Sequence, residues 1–448
     1  MVGWFTFVHA VYRSVLYGRL SAARRMQLHR RLAERGEEVY GDRAVEIAAE
    51  LAMHFEQAAN YRQAVLYLRH ATNNAMRRSA YREAVALSRH GLELLGTLPD
   101  TPERRREELL LHLGLGVPLI ATEGYAAPAV GAVYQQARAL CDRLGDTPEI
   151  AQVLWGLWTF RVLGAELTLA LDIARDLLRL AERLRYPGME MRGHWALEIT
   201  FAHRGDFGAA VEHFDRAIAL YEPDKHRDDG FLYALNPGVA MRCFAAWAHW
   251  FLGRPDLAVT GVRDAVGVAR ELAEPHGLAH ALLFAASVHQ LRREPQLTRE
   301  YAEAGMAVSM EHDLAMYHAN AMVMLGWATA AERGAEASVE QMRQGLERWE
   351  GTGARLMRPH FLGLIAETMP PASRPDEVIP LPEEPGYLPG QPPAGAAWRE
   401  DVLRRPRSAG PLGRHRVPDD VEVASGRRHP ARSWRPGVGV RRRFAAEG

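Results

Sequence analysis

The sequence predicts an all-α protein built from repeated helical pairs, an α-solenoid, and three observations carry that reading. Apolar residues recur at helical spacing through the first 369 residues. A triplet of small or apolar residues returns every 40 to 48 residues. Prolines and capping residues stand between the apolar periods, where helices start and stop.

The triplets set the units. Gly205-Asp206-Phe207 leads into Ala210, Phe214 and Ala217, and Gly164-Ala165-Glu166-Leu167 into Ala170, Ala174 and Leu177. Gly253-Arg254-Pro255 leads into Ala258, Val262 and Ala265. Weaker copies run through Val130, Tyr134 and Ala137, through Thr298, Ala302 and Gly305, and through Val339, Arg343 and Leu346. Their first members stand at 130, 170, 210, 258, 298 and 339. A unit of this length holds two helices of about four to five turns joined by short turns. Small residues three and four apart let the second helix pack closely on the first, and the glycine before it is expected to supply the positive φ that ends its predecessor. Nearer the N-terminus, Asn60-Tyr61 precedes Ala64, Leu68 and Ala71, and Ala80-Tyr81 precedes Ala84, Ser88 and Leu92. Thr101-Pro102-Glu103 and Thr147-Pro148-Glu149 each place a threonine N-cap before a first-turn proline and an acid. Roughly fifteen helices are expected, with no strand after about residue 10.

Composition narrows the partners. With 55 basic and 55 acidic residues the formal charge is zero, so no global field draws the chain to nucleic acid or to a membrane. The two cysteines, Cys141 and Cys243, cannot make a disulfide framework and fit a reducing, cytoplasmic setting. No apolar run approaches the ~20 residues that span a bilayer. The apolar start, residues 1–9, lacks the charged region and cleavage site of a signal peptide and reads as a buried strand leading into a helix.

Beyond residue 369 the pattern changes. Residues 370–448 hold 14 of the 26 prolines and runs such as Arg441-Arg442-Arg443 without a helical or strand period, the composition of a disordered tail. The stretch 354–369, with Leu356, Phe361, Leu362, Leu364 and Ile365, reads as the first helix of another repeat, yet Pro370-Pro371 follows in place of a partner helix. This suggests a reading-frame shift in an arginine-rich, GC-rich gene, a native extension being the alternative. The expected divisions are 1–42, 43–369 and 370–448: linking helices, repeat array and tail.

Two resemblances refine the reading. The stretch 205–217 resembles the second half of a tetratricopeptide repeat, with Trp195 and Leu197 where that motif's first helix carries bulky residues. More specifically, residues 4–369 resemble the C-terminal repeat region of large bacterial predicted ATPases of the signal-transduction, AAA-like class. The matching stretches include Phe5-Thr6-Phe7-Val8-His9, like the end of that family's winged helix, and Ala49-Glu50-Leu51-Ala52-Met53-His54-Phe55-Glu56. Others are Ala121-Thr122-Glu123-Gly124-Tyr125, Leu154-Trp155-Gly156-Leu157-Trp158, His226-Arg227 with Phe231-Leu232-Tyr233, and Asn236-Pro237-Gly238-Val239. The resemblance implies a winged-helix remnant within residues 1–42, and a chain corresponding to the sensor end of a protein that often carries nucleotide-cyclase or DNA-binding modules ahead of its ATPase.

Candidate chemistry is sparse. A phosphate-binding P-loop needs a glycine-rich turn and a lysine, but Lys225, the sole lysine, stands in Tyr221-Glu222-Pro223-Asp224-Lys225-His226. No Walker A motif is present, no segment supplies the sheet a cyclase needs, and no cofactor is expected. His276 and His280 share a helix face, with His289 beyond, but the third ligand and base of a catalytic zinc site are missing, so buried or polar helix positions are preferred. Arg24, Arg25, Arg30 and Arg31 lie in a helical stretch, 19–35, closed by Glu34, Glu37 and Glu38, which reads as a solvated face before it reads as a nucleic-acid patch. Trp155, Trp158, Trp195, Tyr233 and Trp247 are the candidate partner contacts, with inter-repeat core as the plainer reading. The expected function is a non-catalytic interaction or sensor module that binds a protein or small ligand in its concave groove and is coupled to an upstream ATPase. The alternatives are an ATPase or cyclase signalling role inherited from that family and a DNA-associated regulator.

Overall fold

The computed structural model describes residues 17–145, 148–227, 229–333 and 336–369. The residue-1–9 segment, the Thr147 cap and the tail 370–448 lie outside the described residues.

Eighteen α-helices and one 3₁₀ helix follow in order among the described residues, more than the roughly fifteen expected. They are α1 (Ala22–Tyr40), the 3₁₀ helix Gly41–Ile47, α2 (Ala48–Gln57), α3 (Tyr61–Arg77), α4 (Tyr81–Gly96), α5 (Pro102–Glu123), α6 (Pro128–Leu144) and α7 (Ile150–Leu163). Next come α8 (Leu167–Leu184), α9 (Pro187–Arg204), α10 (Phe207–Ala219), α11 (Asp229–Tyr233), α12 (Pro237–Phe251) and α13 (Pro255–Leu272). The series ends with α14 (Pro275–Leu291), α15 (Pro295–Glu311), α16 (Ala315–Arg333), α17 (Glu336–Gly351) and α18 (Arg358–Thr368).

Consecutive helices pack antiparallel, and every second helix also touches the next but one, so two layers form. The inner layer is α3, α5, α7, α9, α12, α14, α16 and α18; α4, α6, α8, α10, α13, α15 and α17 cover it. This is the all-α, tetratricopeptide-like solenoid the sequence predicts.

The triplets fall on the outer helices and make the interlayer contact. Ala170, Ala174 and Leu177 of α8 are buried along one stripe, as are Ala258, Val262 and Ala265 of α13, while the opposite faces meet solvent. In α17 the register differs by one residue: Met342 is buried and Arg343 is exposed, because an arginine cannot fill the apolar slot between layers. Side-chain oxygens cap several helices as expected: Thr101 accepts from the Arg104 amide at 3.2 Å, and Asp206 from the Ala209 amide at 3.1 Å. Gly205 and Gly253 adopt the positive φ expected of them. Gly164 does not; Ala165 takes the left-handed position at φ 65°, because that turn closes one residue later.

The superhelix closes on itself. Helix α5 reaches α16, and the amides of Arg355 and Leu356 both donate to the Leu163 carbonyl, at 2.9 and 3.2 Å. The loops after α5 and α17 meet so closely that a Cβ on Gly353 would clash with the Ala126 carbonyl oxygen. Arg82 and Asp313 pair across the same seam at 3.0 Å. One continuous hydrophobic core runs from Ala75 to Ile365, with a smaller one under α1–α3.

Candidate functional site

Inner helices in such an array usually turn one side toward an open groove. Here α9 is buried without interruption from Met191 to Thr200. Outer helices lie on one side of it and inner neighbours on two more, and Arg192 meets the segment that joins α10 to α12, whose own short helix packs on α5 and α7. That segment belongs to the one unit that is 48 residues long, between the triplets at 210 and 258.

After the exposed residues 222–225, residues 229–236 cross the inner face and are held there by side chains of the array. Gln152 Nε2 donates to the Leu232 carbonyl at 2.9 Å, and Trp155 Nε1 donates to the Tyr233 carbonyl at 3.2 Å. Arg192 Nη2 meets Asp229 Oδ2 at 2.7 Å, and its guanidinium lies 4.0 Å from the centre of the Tyr233 ring. Within the segment, Asn236 Nδ2 donates to the His226 carbonyl while its Oδ1 caps α12 at the Gly238 amide, each at 2.9 Å. Ala234 sits at φ 68°, a left-handed conformation costly for a residue with a Cβ. Lys225 projects outward and pairs with Glu222 at 2.8 Å.

Four of the five candidate contacts meet at this place. Trp155 packs 4.6 Å from Trp158 and 4.2 Å from Trp195, with Tyr233 edge-on at 6.0 Å. Trp158 Nε1 donates to Thr200 Oγ1 at 3.0 Å, whereas the buried Trp195 Nε1 meets no acceptor. Trp247 stands apart, with Phe244, Phe284 and His203. All four tryptophans are buried and Tyr233 is half-buried, so they present no open aromatic surface while 222–236 is seated.

A polar seam adjoins them. His276 and His280 share a face of α14 as their spacing requires, but both meet Tyr317 edge-on, and His280 Nδ1 lies 3.2 Å from the Tyr317 hydroxyl. Burial pushes both imidazoles down to about 3. His289 is engaged elsewhere, 2.6 Å from Glu294. No group of three or more His, Cys, Asp and Glu side chains placed to hold a metal occurs among the described residues.

Glu274, before α14, turns its carboxyl against Gly230, and burial raises that carboxyl to about 8. With His276 and Tyr81 it lines a cavity of about 10 Å³, room for roughly one water. Sequence inspection missed Glu274 because an acid before Pro275 looks like an ordinary exposed helix start; its burial is imposed by residues 40 to 200 positions away. The same holds for Glu198, fully buried within α9, whose carboxyl is raised by burial.

At the other end, Arg24, Arg30 and Arg31 of α1 are exposed and Arg25 stacks over Tyr17 at 5.5 Å. Met26 and Leu32 are exposed beside them, and Ala33 is the buried residue of this helix. Among the described residues no helix is long and apolar enough to cross a membrane.

Comparison with known proteins gives distant likenesses. No family model matches the chain. An uncharacterized protein of Rhizobium meliloti (strain 1021) is 22% identical over 396 residues, 86% of this chain; the chain spans 38% of that relative's length. Among solved structures, a Rap protein complexed with competence and sporulation factor shares 11% identity at a TM-score of 0.48, covering 78% of this chain and 99% of that one. The apo form of RapI shares 9% at 0.38, covering 68% and 81%. The solenoid assignment rests on the helix pairing described above.

Proposed function

We propose that this chain is a helical-repeat interaction and sensor module, with residues 43–369 as the array and residues 1–42 as the link to an upstream signalling ATPase. One observation carries the reading: the inner face grips a stretch outside the repeat pattern through side-chain donors on main-chain carbonyls, Gln152 on Leu232 and Trp155 on Tyr233. That is how a surface holds a peptide whose side chains vary. The relative's greater length supports a module set within a larger protein. Each repeat contacts mainly its neighbours, so occupancy of the inner face would change curvature along the whole array and reach the N-terminal end.

The test is co-expression with the product of the reading frame immediately upstream. The reading expects the two to co-purify and the isolated chain to leave ATP unbound. Micromolar ATP binding by the isolated chain would contradict it. The exposed arginines of α1 favour a second reading, DNA association. It expects salt-sensitive retention on DNA that is lost when Arg24, Arg25, Arg30 and Arg31 are neutralised; retention unaffected by that change would sink it.

A further inference from the structure

Resting on the interaction-module reading, we propose that segment 222–236 is an internal stand-in for a partner. The face it covers binds an external peptide segment carrying a carboxylate and an aromatic ring one helical turn apart.

The segment is surplus to the array. Between α8 and α9 the chain needs only Arg185 and Tyr186 to pass from outer to inner layer; between α10 and α12 it uses residues 220–236. Residues 222–225 of the extra length are exposed, but the later part does not stay on the surface. It enters the inner face, where Asp229 is buried and Tyr233 half-buried, one helical turn apart in α11. A loop whose role was only to connect helices would not need a buried ion pair and two side-chain bonds to its own carbonyls.

The fit is incomplete on the receptor side. Arg192, 5% exposed, uses Nη1 on the Gly188 carbonyl and Nη2 on Asp229, leaving its buried Nε without an acceptor. The buried Trp195 Nε1 beside it is also unsatisfied. A carboxylate on a separate peptide is free of the tether that fixes Asp229. It can take Nε and Nη2 together as a bidentate pair, the stronger arrangement for arginine. Nor would it bear the left-handed Ala234 that lets the internal segment turn away into α12. The internal segment keeps its place through the high local concentration that the covalent link confers. An external ligand with both groups would replace it by making the better contacts.

The experiment uses the full chain and, as probe, a labelled synthetic peptide with the sequence of residues 226–236, followed by fluorescence anisotropy. The released variant Asp229→Ala/Tyr233→Ala should bind it, and the unaltered chain should bind about tenfold or more weakly, because its site is already filled. Adding Arg192→Met to the released variant should abolish binding, and a peptide with Asn in place of its Asp229 should bind no better than background. Equal binding to released and unaltered chains, or binding that survives loss of Arg192, would overturn the proposal. So would no binding by a released variant whose circular dichroism shows full helicity. Should the double substitution cost the fold, Tyr233→Ala alone, which keeps the ion pair, must give the same order of affinities on a smaller scale. A partner that co-purifies equally with released and unaltered chains and is not competed by the peptide overturns this site and leaves the interaction-module reading standing.

Discussion

Arg192 and Asp229 face each other at 2.7 Å with side chains 6% and 8% exposed, so neither charge is repaid by water. Removing one partner of such a pair costs more than the pair contributes, because the survivor stays buried without compensation. Arg192→Met should therefore destabilise by about 3–5 kcal/mol in urea unfolding, and Arg192→Met/Asp229→Leu should recover most of that loss. A single substitution within about 1 kcal/mol of the unaltered chain would show that the pair is wet. Glu274 makes the opposite demand. Its carboxyl rises from 4.5 to about 8 on folding, so the folded state holds a proton that the unfolded state has released. The sign follows: no penalty at pH below about 4.5, a growing one as pH rises to about 8, and a constant one above. Glu274→Gln should remove this slope, gaining a few kcal/mol at most over the unaltered chain near pH 8 and little near pH 4.5. His276 and His280, depressed to about 3, contribute stability that is full above about 6.5 and falls as the medium becomes more acid. Unfolding curves that keep the same pH dependence with and without Glu274 would contradict the seam as described.

Helices and their turns were legible where the rule is local. Period, proline and small-residue triplets placed the outer helices because each unit repeats the same packing problem. What was not legible came from distant contacts. Gly164 looked like the residue that ends its helix, but Ala165 occupies the left-handed position. Ala165→Gly should thus stabilise by about 1 kcal/mol, the reverse of the usual sign for a glycine substitution near a helix end, as thermal unfolding will show. Arg343 fitted the triplet spacing while Met342 fills the slot, since spacing alone cannot resolve one residue of register. The tryptophans announced a cluster through their three-residue spacing, yet only the fold brings Trp195 and Tyr233 to Trp155. Segment 222–236 was visible only as a unit of 48 residues where its neighbours have about 40.

At the scale of the whole molecule, the array curls until α5 meets α16 and the Leu163 carbonyl receives two amides from beyond α17. Among the described residues, α9 at the centre of this array has no open side from Met191 to Thr200. At Gln152, Trp155 and Arg192 the inner face of the array is covered by part of its own chain, and on the proposal above a partner at that place would compete with the cover. Hydroxyl-radical footprinting, read tryptophan by tryptophan, tests this most directly. In the unaltered chain Trp155, Trp195 and Trp247 should all be protected. In Asp229→Ala/Tyr233→Ala, Trp155 and Trp195 should become reactive while Trp247, in its separate cluster, stays protected. Reactive Trp155 and Trp195 in the unaltered chain, or all three rising together in the variant, would contradict an inner face closed by residues 222–236.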